Sequence, residues 1–203
     1  MNRDQLDLAI RAACAQLNEP YVVVFGSQSI LGTFEEWVLP EMVTRSREVD
    51  FTPGSAFAPA GADSAEPGAI DHKNLILEAH LGEWSKFHRE HGVYVDSIRR
   101  EVVILPNGWD DRLVRFTLRE QSSGTYTGVG MCLDPVDLCV SKSLAGREND
   151  REFVAALVKD GIISVNEILS RIDTAGIEWT AEYQDESTQR MTSARAFLEY
   201  LMR

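Results

Sequence analysis

The sequence is short of cysteine, of positive charge and of long apolar runs. Its three cysteines, Cys14, Cys132 and Cys139, show no CxxC spacing and leave an odd number. That argues against a disulfide framework or a cysteine zinc site, and for buried small side chains in a reducing cytosol. Lys plus Arg number 20 against 32 Asp plus Glu, a net charge of -12. Broad, sequence-blind coating of nucleic acid is a poor fit, because phosphate binding draws on Lys and Arg. No stretch reaches the roughly 18 apolar residues of a membrane span. The start, MNRDQLDLAIRAAC, lacks the apolar core of a secretory signal. A cytoplasmic protein with no membrane partner is expected. Acyl-transfer chemistry has no nucleophile on offer, since there is no GxSxG elbow and no supported Cys/His pair.

What is present is a globular chain of 203 residues with 44% hydrophobic and 26% charged side chains. A chain of this length buries well over half its unfolded surface without a staple. Apolar spacing predicts a helix over 3–17, then a buried strand at Tyr21 to Phe25 that stops at Gly26-Ser27 before a helical pattern. Glu48 to Phe51 alternates as a strand, and Pro53 to Ala69 reads as a flexible surface loop. A helix is expected over 72–90, with strands at 92–96, 101–105, 113–118 and 126–133. Asp134-Pro135 opens a helix over 136–145. Further helices follow at 149–159, after the Ser164–Glu167 capping box, and over 193–202. The fold class is therefore α/β: a small mixed sheet flanked by helices, with a mainly helical C-terminal region. The division expected is a core over 1–133 and a helical region over 134–203.

One constellation carries chemistry. Gly26-Ser27 follows a strand, Glu48 and Asp50 lie two apart on a second, and Asp96 ends a third. Residues two apart on a strand face the same side, so Glu48 and Asp50 can share a cleft. Converging carboxylates suit hard cations, and a pair of Mg²⁺ ions can stabilise both oxygens of a phosphoryl displacement. A glycine lets backbone approach a phosphate, and Ser27 adds a donor. Each piece also has a plain reading: a turn, the solvated face of an edge strand, a hairpin cap. His80, His88 and His91 on one predicted helix read as packing or surface residues. The four scattered tryptophans read as core anchors.

VVVFGSQSILG, REVDF and GVYVDSI together resemble the nucleotidyltransferase superfamily typified by DNA polymerase β, whose pattern is hG[GS], [DE]h[DE]h, h[DE]h. EWSKFHREHGVYVD, VILPNGWDDRLV and LDPVDLCVSKSLAGRENDREFVAALV resemble a bacterial branch related to abortive-infection (AbiEii) and MenT-type toxins. The likeness spans about Tyr21 to Gly161. It implies that Gly26 and Ser27 hold nucleotide phosphates and that Glu48, Asp50 and Asp96 hold metal, with Asp50 and Asp96 catalytic. Lys142 and Asp150 fall where that branch carries a Lys and a later Asp, which implies that they too are catalytic, Lys142 neutralising the triphosphate, with Arg147 between them as a phosphate clamp. As a surface salt-bridge group, the same three residues need no ligand. Glu48 stands where Asp is common, and Gln28 to Gly32 lacks the basic residue that branch often carries.

The resemblance implies Mg²⁺-dependent transfer of a nucleoside monophosphate from an NTP to an RNA acceptor, the 3′ end of tRNA, by a toxin paired with an antitoxin protein. Two other readings stay open: a degenerate, non-catalytic binding module, and a nucleotidyltransferase acting on a small cationic molecule. Lys142, Arg147 and Arg151, with Arg112, Arg115 and Arg119, are the basic residues that an RNA strip beside Asp50 requires.

Overall fold

The computed structural model describes residues 1–57, 68–116 and 128–203. Helix α1 (Arg3–Leu17) starts at a capping box in which Asn2 and Gln5 exchange side-chain and backbone bonds. It buries Leu6, Ile10, Ala13, Cys14 and Leu17 on one face. Strand β1 (Tyr21–Val24) is the centre of the main sheet, and its valines are wholly buried. The other strands of this sheet are β2 (Glu48–Pro53), β3 (Tyr94–Ser97), β5 (Val114–Phe116) and β6 (Val129–Cys132). The short β4 (Leu105–Pro106) pairs elsewhere, with β7 (Ile177–Glu178).

Sheet order is β3-β2-β1-β6-β5. β1 runs antiparallel to β2 and parallel to β6, whereas β2 and β3 are parallel. α1 packs beside α3 (Ala69–Leu81) against the sheet. The small α2 (Glu41–Thr44) precedes β2, and α4 (Lys86–His91) precedes β3. Beyond β6 the chain is helical: α5 (Pro135–Ala145), α6 (Glu148–Lys159), α7 (Val165–Ala175) and α8 (Ser187–Leu201), with α6, α7 and α8 all packed on α5. This is the mixed α/β architecture expected, and all three cysteines are buried and free.

Several local expectations change. The segment after Gly26 is a six-residue 3₁₀ helix, Ser27–Gly32, not an α-helix. The helix expected over 72–90 breaks after Leu81, because Gly82 and Trp84 (φ +69°) leave helical geometry before Ser85 caps α4. The strand expected at 101–105 is a 3₁₀ turn, Arg100–Val102, followed by β4. The last helix starts six residues early, at Ser187. Of the tryptophans, Trp109 is buried, tilted against Phe25 and edge-on to Phe57, whereas Trp37 and Trp84 are exposed. Most of the loop read at 53–69, and the outer parts of the strands read at 113–118 and 126–133, lie outside the described residues.

Candidate active site

Register builds the site. On β2, Val49 and Phe51 are fully buried, so pleat alternation sends Glu48 and Asp50 to the opposite face. The parallel β2–β3 pairing sets Asp50 directly beside Asp96 and Glu48 beside Tyr94. Ligand oxygens of Glu48, Asp50 and Asp96 all lie within 4.8 Å of one another. Tyr94 Oη donates to Glu48 Oε2 at 3.0 Å and fixes the longer of the three side chains. The His88 ring lies tilted against Tyr94, with centroids 4.9 Å apart.

Gly26 meets this cluster from β1. Its φ of +59° favours glycine, and a Cβ there would lie 2.6 Å from Asp50 Cγ. Phe25 N–H donates to the Asp50 carbonyl at 2.9 Å, which locks the end of β1 against β2.

Three carboxyl groups this close resist joint ionisation. Burial, then the charges of Glu48 and Asp96, push Asp50 up to about 7, against the pull of Lys142 and Arg147. Asp96 is also raised, by burial and by Glu48 and Glu78. Burial and the Glu48 carboxylate raise the Tyr94 phenol to about 12, so it remains a donor. An all-oxygen set under mutual repulsion fits a hard divalent cation, which would relieve that repulsion.

The cluster opens into a cleft of about 580 Å³ whose lining includes Gly26, Ser27, Lys142, Arg147 and Asp150. Lys142 lies in the last turn of α5 and Asp150 in the first turn of α6, so the sharp α5–α6 joint at Gly146 brings them together. Lys142 Nζ donates to Asp150 Oδ1 at 2.8 Å and lies 4.7 Å over the Phe153 ring. The Lys142–Asp150 ion pair and a place on the cleft wall thus coexist. Arg147 is exposed and makes no ion pair among the described residues, while its charge reaches Asp50.

Among the described residues the full basic strip does not assemble, although Lys142 and Arg147 line the cleft. Arg112 is committed to the buried Asp137, which Arg171 also holds. Arg151 bonds Ser193 and stacks on Phe197. Arg115 lines a separate groove with Tyr21 and Met131, and Arg119 lies outside the described residues. Two cleft residues carried no sequence signal: Tyr183 and Arg190, from the polar C-terminal stretch. Behind the triad a second cavity, of about 360 Å³, shares Glu48 and Asp96 and adds Glu78, Glu83 and Tyr94.

A protein family described as "Nucleotidyltransferase of unknown function (DUF6036)" matches residues 4–202, nearly the whole chain. The chain belongs to the DUF6036 family. No curated protein and no solved structure matches it. Among its described residues, no helix is long and apolar enough to cross a membrane.

Proposed function

We propose that this protein transfers a nucleoside monophosphate from an NTP to an acceptor hydroxyl, using Mg²⁺ held by Glu48, Asp50 and Asp96. The observation that supports this most is the convergence of those carboxylates beside Gly26-Ser27, with Lys142 and Arg147 on the same cleft. Mg²⁺ at that site would polarise the phosphoryl group and stabilise the attacking and leaving oxygens. Gly26 permits close backbone approach to the phosphates, and Ser27 offers its hydroxyl to them. Lys142 and Arg147 offset the charge that leaves with pyrophosphate. Asp150 holds the Lys142 ammonium in place. Asp96, beside Asp50 in the cleft, is placed to receive the acceptor hydroxyl's proton as that oxygen bonds to the α-phosphorus and the bond to pyrophosphate breaks.

The sequence likeness to abortive-infection and MenT-type toxins supports an RNA acceptor, the tRNA 3′ end, blocked translation in the cytoplasm and a cognate antitoxin. A second reading is favoured by the electrostatics. Of the arginines that an RNA strip needs, Arg147 lines the cleft whereas Arg112 and Arg151 are engaged elsewhere, and the cavity behind the triad presents Glu48, Glu78, Glu83 and Asp96. Such a wall repels a phosphate backbone and attracts amines, so a small cationic acceptor suits it better.

The test is incubation with Mg²⁺ and each α-phosphate-labelled NTP, separately with total RNA and with polyamine-type cations. Label on either acceptor supports transfer and names the acceptor class. No transfer and no metal-dependent NTP binding would leave the binding-module reading.

A further inference from the structure

Tyr183 and Arg190 have no part in the metal cluster, yet both line the cleft. Arg190 is spent on structure. Its Nη1 donates to the carbonyls of Leu144 and Ala145 at the end of α5, each at 3.2 Å. Its Nε and Nη2 reach Glu186 Oε2 at 2.8 and 2.7 Å. The guanidinium so pinned lies 4.6 Å over the centroid of the Tyr183 ring. With these donors used, Arg190 serves as backing for an aromatic plate more than as a phosphate ligand.

Arg147 also lines this cleft, and its charge acts on both the Asp50 carboxyl and the Tyr183 phenol. The cleft lining also carries apolar side chains, Ile98, Val102, Val103 and Ile104 among them. A nucleotide in this cleft meets cations suited to its phosphates and an aromatic ring suited to its base.

Resting on the nucleotidyltransferase reading, we infer that Tyr183, backed by Arg190, is the stacking seat for the nucleobase of the bound NTP. Stacking is tolerant of base identity, because every base has a π-face. The larger faces of purines gain more from it, so ATP and GTP bind more tightly than CTP and UTP.

The experiment is calorimetric titration of the full chain, in Mg²⁺, with the four NTPs and with inorganic tripolyphosphate. Wild type, Tyr183→Phe, Tyr183→Leu, Tyr183→Ala and Asp50→Asn are compared. The Leu and Ala variants are expected to lose NTP affinity by about tenfold or more, with tripolyphosphate affinity unchanged and Tyr183→Phe near wild type. The Leu variant keeps apolar bulk against Arg190, which guards against misreading a folding defect in the Ala variant. The inference is overturned if Leu and Ala bind NTPs within twofold of wild type, or if they lose tripolyphosphate in parallel. Asp50→Asn separates the two readings. If it binds NTP like wild type while the Tyr183 effect holds, the seat stands and the metal assignment falls. If wild type binds neither ligand, both fall.

Discussion

Residue 26 has no room for a side chain because the Asp50 carboxylate occupies the space its Cβ would need. The glycine of the Gly-Ser turn and a carboxylate of the triad are thus fitted to each other, 24 residues apart in sequence. Gly26→Ala is expected to cost about 1–2 kcal/mol in backbone strain alone, and more from displacing Asp50. Thermal melts of wild type and variant, with and without Mg²⁺, check this. The variant should lose most of the stabilisation that Mg²⁺ gives wild type.

Asp50 also sets a pH dependence. In the folded, metal-free protein its carboxyl titrates at about 7, against an ordinary value of 3.8 in the unfolded chain. Between these values the folded state holds a proton the unfolded chain has released. Stability therefore falls as pH rises through that window and levels off above it, by at most about 4 kcal/mol. Asp50→Asn should raise the melting temperature of the metal-free protein at pH 8 and change little near pH 4. Equal melting of the two proteins at pH 8 would contradict the repulsion described for the triad.

Lys142 and Asp150 are each about nine-tenths buried as side chains, so removing one strands the other's charge. Asp150→Ala is expected to lose on the order of 3 kcal/mol in urea denaturation. Lys142→Met with Asp150→Asn should recover much of that stability but not NTP affinity. Recovery of both would return the pair to a purely structural role.

Arginines divide by location. Arg171→Ala leaves Asp137, which is wholly buried, with one partner fewer, and is expected to destabilise by about 3 kcal/mol while NTP affinity of the folded protein holds. Arg147→Ala is expected to do the reverse, with stability within about 0.5 kcal/mol and a raised KM for NTP. Denaturation and steady-state kinetics on the two variants test the distinction.

Much of this was legible in the sequence because local physics dictated it. The apolar spacing of α1, the Ser164–Glu167 box, the Asp134-Pro135 helix start and the valine run of β1 follow from periodicity, capping and burial rules. The strand period placed Glu48 and Asp50 on one face, while only the parallel β2–β3 register brought Asp96 beside them. The break at Gly82 to Trp84 was hidden inside a continuous helical pattern of apolar residues. The fate of the arginines was hidden for another reason: Arg112 finds its carboxylate 25 residues away, which no local spacing reveals. Tyr183 and Arg190 reach the cleft only through the packing of the C-terminal helices, so no motif announces them.

Central to the proposed function is a divalent cation held jointly by Glu48, Asp50 and Asp96. Titration of Mn²⁺, a hard oxygen-seeking stand-in for Mg²⁺, followed by the electron paramagnetic resonance signal of the free ion, tests it directly. Against a protein-free control at the same NTP concentration, which accounts for Mn²⁺ chelated by the NTP itself, wild type is predicted to remove further Mn²⁺ from solution and Asp50→Asn to match the control. Binding of Mn²⁺ by Asp50→Asn as tight as by wild type, or none by wild type with NTP present, would contradict it.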